Sequence, residues 1–153
     1  MANNGLGPEG AKYLAEALNV NSSMTFLDLS SNKLTGEKQN RYGDLVPAGD
    51  MTGIKAIANA LSVSTSLTEL NLANNTLCGV TILGGTYDPT GIKAIADALS
   101  VSISMKKIKV SECELPIDVL KTGIEVDLSG QELSVEDAII IASWINVSTS
   151  IES

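Results

Sequence analysis

Residues 53–66 read GIKAIANALSVSTS, and the same stretch returns at 91–104 as GIKAIADALSVSIS, changed only at Asn59/Asp97 and Thr65/Ile103. Two looser copies fit the frame: 10–23, GAKYLAEALNVNSS, and 137–150, DAIIIASWINVSTS. Repetition of this kind decides the architecture before any single element is read, because each copy is one unit that buries its apolar face on the next. Within the copies the large apolar residues recur at helical spacing: Ile54, Ile57 and Leu61; Ile92, Ile95 and Leu99; Ile141 and Ile145. Each helix is expected to begin at the aligned cap position, Gly7, Asp50, Asp88 or Ser134. Pro8 and Pro89 follow at the first helical position, and Ser134 with Asp137 has the outline of a capping box.

A second pattern follows the helices. It reads Met24-x-x-Leu27-x-Leu29-x-x-Asn32, then Leu67-x-x-Leu70-x-Leu72-x-x-Asn75, then Met105-x-x-Ile108-x-Val110-x-x-Cys113. A weaker copy is Gly123-x-x-Val126-x-Leu128-x-x-Gln131, and Asn4 sits in the remnant of one more. Alternating apolar residues make each a short strand with one buried face. Strand, loop and helix in constant order give every strand the same direction, so the expected sheet is parallel and helix-covered on one side. Asn4, Asn32, Asn75 and Cys113 then form a ladder at the strand ends, where a side-chain amide satisfies backbone groups of the neighbouring turn.

These residues resemble the leucine-rich repeat signature L-x-x-L-x-L-x-x-N/C-x-L, and helices of this length resemble its ribonuclease-inhibitor-like class. The spacing of 28 from Asn4 to Asn32 agrees with that class, and Cys113 is a substitution the signature permits. The resemblance implies an α/β right-handed solenoid, a short horseshoe arc with a parallel sheet on its concave face and helices on its convex face. It implies one repeat domain over 1–153, cut from a longer array and able to self-associate through uncapped ends. It also implies a cytoplasmic protein-binding scaffold, not an enzyme.

Composition narrows the chemistry independently. Ten Lys and Arg against eighteen Asp and Glu leave a net charge of −8, which argues against nucleic acid or an anionic membrane and favours a basic protein partner. There is no histidine, which removes the usual general base and the commonest metal ligand. No catalytic, cofactor or metal site is expected. Cys78 and Cys113 read as free thiols of a reducing compartment, with Cys78, in a loop, the more reactive. Gly5, Gly7 and Gly10 match G-x-G-x-x-G, but the repeat frame explains them better than a dinucleotide would.

Function is expected where the copies differ. Asn32 to Asn75 spans 43 positions and Asn75 to Cys113 spans 38, so the loops leaving two strands carry insertions, 35–49 and 78–87. Cys113 to Gln131 is only 18, so 114–122 crosses as a turn or short helix. Tyr42 and Tyr87 lie in the two insertions, either as interface anchors or as plugs of a local cluster. The frame places Phe26, Asp28, Glu69, Asn71, Lys107 and Lys109 on the open sheet face, continued by Glu125, Asp127 and Ser129. On that register Lys107 lies between Glu69 and Glu125, and Lys109 between Asn71 and Asp127. The expected function is binding of a protein through this face and the enlarged loops. Two alternatives are activation of a small GTPase through Arg41, the only arginine, and a purely structural segment of a larger repeat receptor.

Overall fold

A computed structural model describes residues 1–122 and 125–148. The helices are α1 (Gly7–Val20), α2 (Thr52–Val63), α3 (Thr90–Val101), α4 (Ile117–Thr122) and α5 (Val135–Ser148). The strands are β1 (Phe26–Asp28), β2 (Glu37–Gln39), β3 (Leu45–Pro47), β4 (Glu69–Asn71), β5 (Val80–Thr81), β6 (Gly84–Gly85), β7 (Lys107–Lys109) and β8 (Glu114–Pro116). The main sheet has the order β1-β4-β7-β8. β1, β4 and β7 run parallel with Leu27, Leu70 and Ile108 in one row, and all three are buried. Leu29, Leu72 and Val110 form a second buried row one pleat further on.

Helices α1, α2 and α3 pack side by side over those rows. Ile54, Ile57 and Leu61 of α2 and Ile92, Ile95 and Leu99 of α3 are wholly buried, as the helical spacing demands. The aligned glycines set how closely the helices approach. A Cβ on Gly53 would lie 2.7 Å from the Pro8 carbonyl oxygen and 2.8 Å from Ala11 Cβ. On Gly91 it would meet Met51 Sδ at 2.9 Å, in a flexible side chain, and Ile54 Cγ2 at 3.2 Å. The helices start at Thr52 and Thr90, two residues after the expected caps. Asp50 and Asp88 nevertheless do a cap's work. Each accepts the Thr52 or Thr90 backbone N–H at 2.9 Å, and hydrogen bonds from these threonines, the hydroxyl's first at Asp50 and the backbone's first at Asp88, hold both carboxyls below the usual aspartate range.

The strand ends are tied by amides. Asn75 Oδ1 accepts the Asn32 N–H at 2.9 Å and the Leu34 N–H at 3.3 Å, while its Nδ2 donates to the carbonyls of Leu29 and Leu72 at 2.8 Å each. Asn32 Oδ1 accepts the Asn4 N–H at 2.9 Å in the same way. The turns that make this possible place residues on either side of the ladder amide at positive φ: Asn3 and Gly5, Ser31 and Lys33, Asn74 and Thr76. Non-glycine residues in this region cost roughly 1–2 kcal/mol each, so the amide bonds hold a strained turn.

The fourth copy departs from expectation. Residues 125–128 form no strand; Gly123, and 149–150 of the fourth helical copy, lie outside the described residues. Instead β8 folds back antiparallel on β7, so the sheet is parallel over three strands only. Cys113 to Gln131 is too short for a crossover helix and a returning strand, so the chain reverses, and α4 follows directly. Pro116 sits on this edge strand, where its missing N–H is tolerated. Gln131 keeps its ladder place without a strand: its Oε1 accepts the Cys113 thiol at 3.4 Å.

Helix α5 is also turned relative to its frame. Asp137, Ile140 and Trp144 are buried while Ile145 is exposed, against the expectation of a buried Ile145. The cause is Asp137, which stands where α2 and α3 carry glycine. Its Oδ2 accepts the Ser134 N–H at 2.8 Å and the Ser134 hydroxyl at 2.9 Å, forming the capping box, and it also accepts the Ser111 hydroxyl. Burying that carboxylate against β7's end rotates the helix by one position.

Two stability measurements follow from this packing. Gly53→Ala is expected to cost about 1–3 kcal/mol through overpacking. Gly91→Ala should cost less than Gly53→Ala, because it meets side-chain atoms of Met51 and Ile54 rather than a backbone carbonyl, and alanine gains up to about 1 kcal/mol of helix propensity. Urea midpoints for the two variants that coincide would contradict the packing account. Asn75→Ala strands buried donors and acceptors on both flanking turns and should lose about 2–4 kcal/mol. Asn4→Ala, at an exposed ladder position, should lose under about 1 kcal/mol by the same measurement.

Candidate interaction surface

The unburied side chains of the sheet fall in two rows. Phe26, Glu69 and Lys107 are cross-strand partners, ending on Pro116; Asp28, Asn71 and Lys109 are the next row, ending on Glu114. Both rows face away from the helices, because Leu27, Leu70 and Ile108 between them face inward. Phe26 is 57% exposed, a large aromatic on an otherwise polar face.

The rows differ in what their side chains are committed to. Asp28 Oδ1 accepts the Ser30 N–H at 2.9 Å and the Ser30 hydroxyl at 2.7 Å. Those bonds, the hydroxyl's first, hold its carboxyl below the usual range. Asn71 Oδ1 accepts the Ala73 N–H at 3.0 Å, and Asp127 Oδ1 accepts the Ser129 N–H at 2.8 Å. Asp28 and Asn71 thus terminate β1 and β4, and Asp127 closes a turn outside the sheet. Phe26, Glu69 and Lys107 carry no such local bond to their own backbone among the described residues.

The lysines are flanked differently from expectation. Because β8 takes the place assigned to Glu125, Asp127 and Ser129, Lys107 lies between Glu69 and Pro116, and Lys109 between Asn71 and Glu114. Lys107 Nζ lies 3.1 Å from Glu114 Oε1, and Lys109 Nζ lies 3.6 Å from Glu112 Oε2. The hydrogen bond to Glu114, then the charges of Glu114, Glu69 and Asp118, raise the Lys107 ammonium above its ordinary value. Both pairs are exposed, so solvent screens them. A hollow of about 210 Å³ lies on this face between Phe26, Glu69, Asn71, Lys107 and Lys109.

The insertions are β-hairpins rather than irregular loops. β2 pairs with β3, and β5 with β6, both antiparallel. The two hairpins lean on each other, with Val46 buried against β6. A Cβ on Gly84 would sit 3.4 Å from Val46 Cγ1, so the glycine strand receives the valine without a side chain intervening. Tyr42 and Tyr87 are both exposed, and Val46 fills the local cluster that a buried tyrosine would otherwise plug. Arg41 lies over the Tyr42 ring, 5.1 Å from its centroid.

Sequence reasoning passed over Leu45, Val80, Ile82 and Leu83, all exposed on the same rim. A signal was present: 78–87 contains no charged residue, yet it is a surface loop with Ile82 and Leu83 at its middle. The reactive thiol is a correction in the other direction. Cys78 and Cys113 are both free and buried. Burial first, then the neighbouring Glu136 and Asp88 carboxylates, push the Cys78 thiol up to about 12. At the G-x-G-x-x-G stretch, the space beside Gly10 is filled by Leu6, whose Cβ would lie 2.8 Å from an added Cβ.

A family model described as Leucine Rich repeat matches residues 20–37 and 63–77. Each match runs from the end of a helix through a strand and its ladder amide, Asn32 in the first and Asn75 in the second. No curated protein matches the chain at a significant level. Two matched repeats support a leucine-rich repeat protein, a family that typically serves as a non-enzymatic scaffold for binding other proteins. Among the described residues no helix is long and apolar enough to cross a membrane, and no three His, Cys, Asp or Glu converge for a metal ion.

Thiol chemistry tests the burial directly. At about pH 8 neither cysteine should react with iodoacetamide in the native protein, and both should react in denaturant. Fast native labelling mapped to Cys78 would show that the hairpin root opens to solvent.

Proposed function

We propose that the chain is a protein-interaction module of the ribonuclease-inhibitor-like class, a right-handed horseshoe arc that binds a basic protein partner. The partner is held by the open sheet face and by the rim that the two hairpins build. One observation carries the reading: Phe26 stands exposed in a row with Glu69 and Lys107 that is not consumed by turn-forming bonds. Aromatic anchors beside charged groups are what protein interfaces concentrate. Tyr42 and Tyr87 extend the same logic to the rim, and Asp28, Asn71 and Lys109 contribute its polar border. The 28-residue base unit and helices of 12–14 residues support the class. The net charge of −8 supports a basic partner. Two free cysteines agree with a reducing, cytoplasmic location.

Lysines on opposite faces make the surface testable. Cross-linking the chain to a captured partner should join it through Lys107 and Lys109 of the sheet, and spare Lys55 and Lys93 of the helices. Phe26→Ala should weaken the isolated complex about tenfold or more with the unfolding midpoint unchanged. Cross-links confined to Lys55 and Lys93 would place the interface on the helical side and reject the proposal.

A further inference from the structure

The turn between β5 and β6 is chemically out of place. Its two central residues are Ile82 and Leu83, at positions where turns ordinarily take Asn, Gly, Asp or Ser. Ile82 is fully exposed and Leu83 more than half exposed. Neither side chain is needed to close the turn, because Thr81 does that. Its hydroxyl donates to the Gly84 carbonyl at 3.2 Å and accepts the Leu83 N–H at 3.3 Å. Nor does the tip fill the cluster between the hairpins, which Val46 occupies. Two large aliphatic side chains are thus held in water by a hairpin that would form as well with serines.

The ground behind the tip has a charge. A cleft of about 280 Å³ runs from Val80 and Thr81 on the hairpin to Glu112 and Glu136, with Thr76 and Ser111 on its floor. Glu136 is half-buried and stands beside the neutral Cys78 thiol. Among the described residues no lysine or arginine pairs with it, and Glu112 has only Lys109 at 3.6 Å. Two carboxylates and the Thr76 hydroxyl around one cleft make an acceptor set suited to a guanidinium or ammonium group.

We propose that the Ile82–Leu83 tip and the Glu112–Glu136 cleft form one docking site for a protein segment that carries an arginine or lysine beside large apolar residues. The basic side chain enters the cleft and its apolar neighbours cover the tip. Exposed aliphatic surface supplies the affinity, and the carboxylates supply selection against acidic or neutral segments. Arginine fits better than lysine, since its planar fork spans two acceptors at once. The inference rests on reading the chain as a protein-interaction module, but it uses none of the sheet-face residues.

The test is selection of a phage-displayed random peptide library on the whole chain, followed by affinity measurement of enriched peptides. Enriched peptides should carry Arg or Lys next to Leu, Ile, Phe or Trp. Ile82→Ser with Leu83→Ser, and separately Glu136→Gln, should each weaken them about tenfold or more, while Phe26→Ala leaves them unchanged. An unaltered urea midpoint for each of these variants confirms that folding is not the cause. Peptides lost with Phe26→Ala but kept by the tip variant would overturn this site and leave the module reading intact. Peptides that need the tip but contain no basic residue, or ignore Glu136→Gln, would overturn the assigned partner chemistry. Failure to enrich any peptide would count against both.

Discussion

One buried side chain fixes the geometry on which the rest depends. The Asn75 amide bonds backward to Asn32, Leu34 and Leu29 and inward to Leu72, so two successive units meet at a single register. A slip by one residue would move Leu70 and Leu72 to the solvent face and break those bonds together. The turn around the amide is strained, with Thr76 at positive φ, and it persists because leaving buried N–H and C=O groups unpaired costs more. With the strand ends pinned, the chain beyond them is free to vary. Both insertions leave immediately after a ladder amide and return at a helix start, so hairpins were added without disturbing the rows of Leu27, Leu70 and Ile108.

The array changes character after β7, where the spacing is too short for a crossover and the ladder residue is different too. A thiol accepts and donates weakly, so Cys113 cannot bridge neighbouring turns as Asn75 does. Among the described residues, neither neighbour of Cys113 adopts the positive φ found beside Asn32 and Asn75. The turn opens into β8 instead. Ser111 and the buried Asp137 then take over the tie between strand end and helix, and α5 rotates to deliver that carboxylate. Trp144 fills the wider gap beside α4, with Lys121 Nζ 5.7 Å above its ring. A parallel stack thus becomes an antiparallel edge where the chain is too short for another crossover and the ladder loses its amide.

Much of this was legible in the chain because it is periodic. Near-identical copies define a frame, and the frame predicts the register of Phe26, Glu69 and Lys107 along with the buried rows. What failed failed where the frame was thin. Gly123, Val126, Leu128 and Gln131 satisfy the alternation but lack the length to form a crossover, and pattern alone does not measure length. Three consecutive isoleucines in α5 leave its facing undetermined until the burial of Asp137 selects one. Cys78 sits in a loop by sequence, yet it packs at the root of a hairpin, a contact between segments that spacing does not encode. The hairpin tip escaped because aromatic residues were weighed and aliphatic ones were not.

Separating what folding needs from what it does not is the last step toward function. Asp28 and Asn71 look like surface residues of an open face, but their side chains close the turns that end β1 and β4. Lys107 and Lys109 are partly neutralised by their own chain. After those commitments are removed, the sheet-and-rim side still exposes Phe26 on the sheet, Tyr42 and Tyr87 on the rim, and Ile82 with Leu83 at the hairpin tip. Each is large and apolar, and keeping it in water works against solubility. The helices expose apolar residues too, Tyr13 and Val20 on α1, Val63 on α2 and Val101 on α3, but Val20, Val63 and Val101 are the last residues of their helices, one position repeated by the frame. Phe26, Tyr42, Tyr87, Ile82 and Leu83 belong to no such repeated position, since the frame puts Glu69 and Lys107 where Phe26 stands, and a binding role accounts for these unrepeated groups.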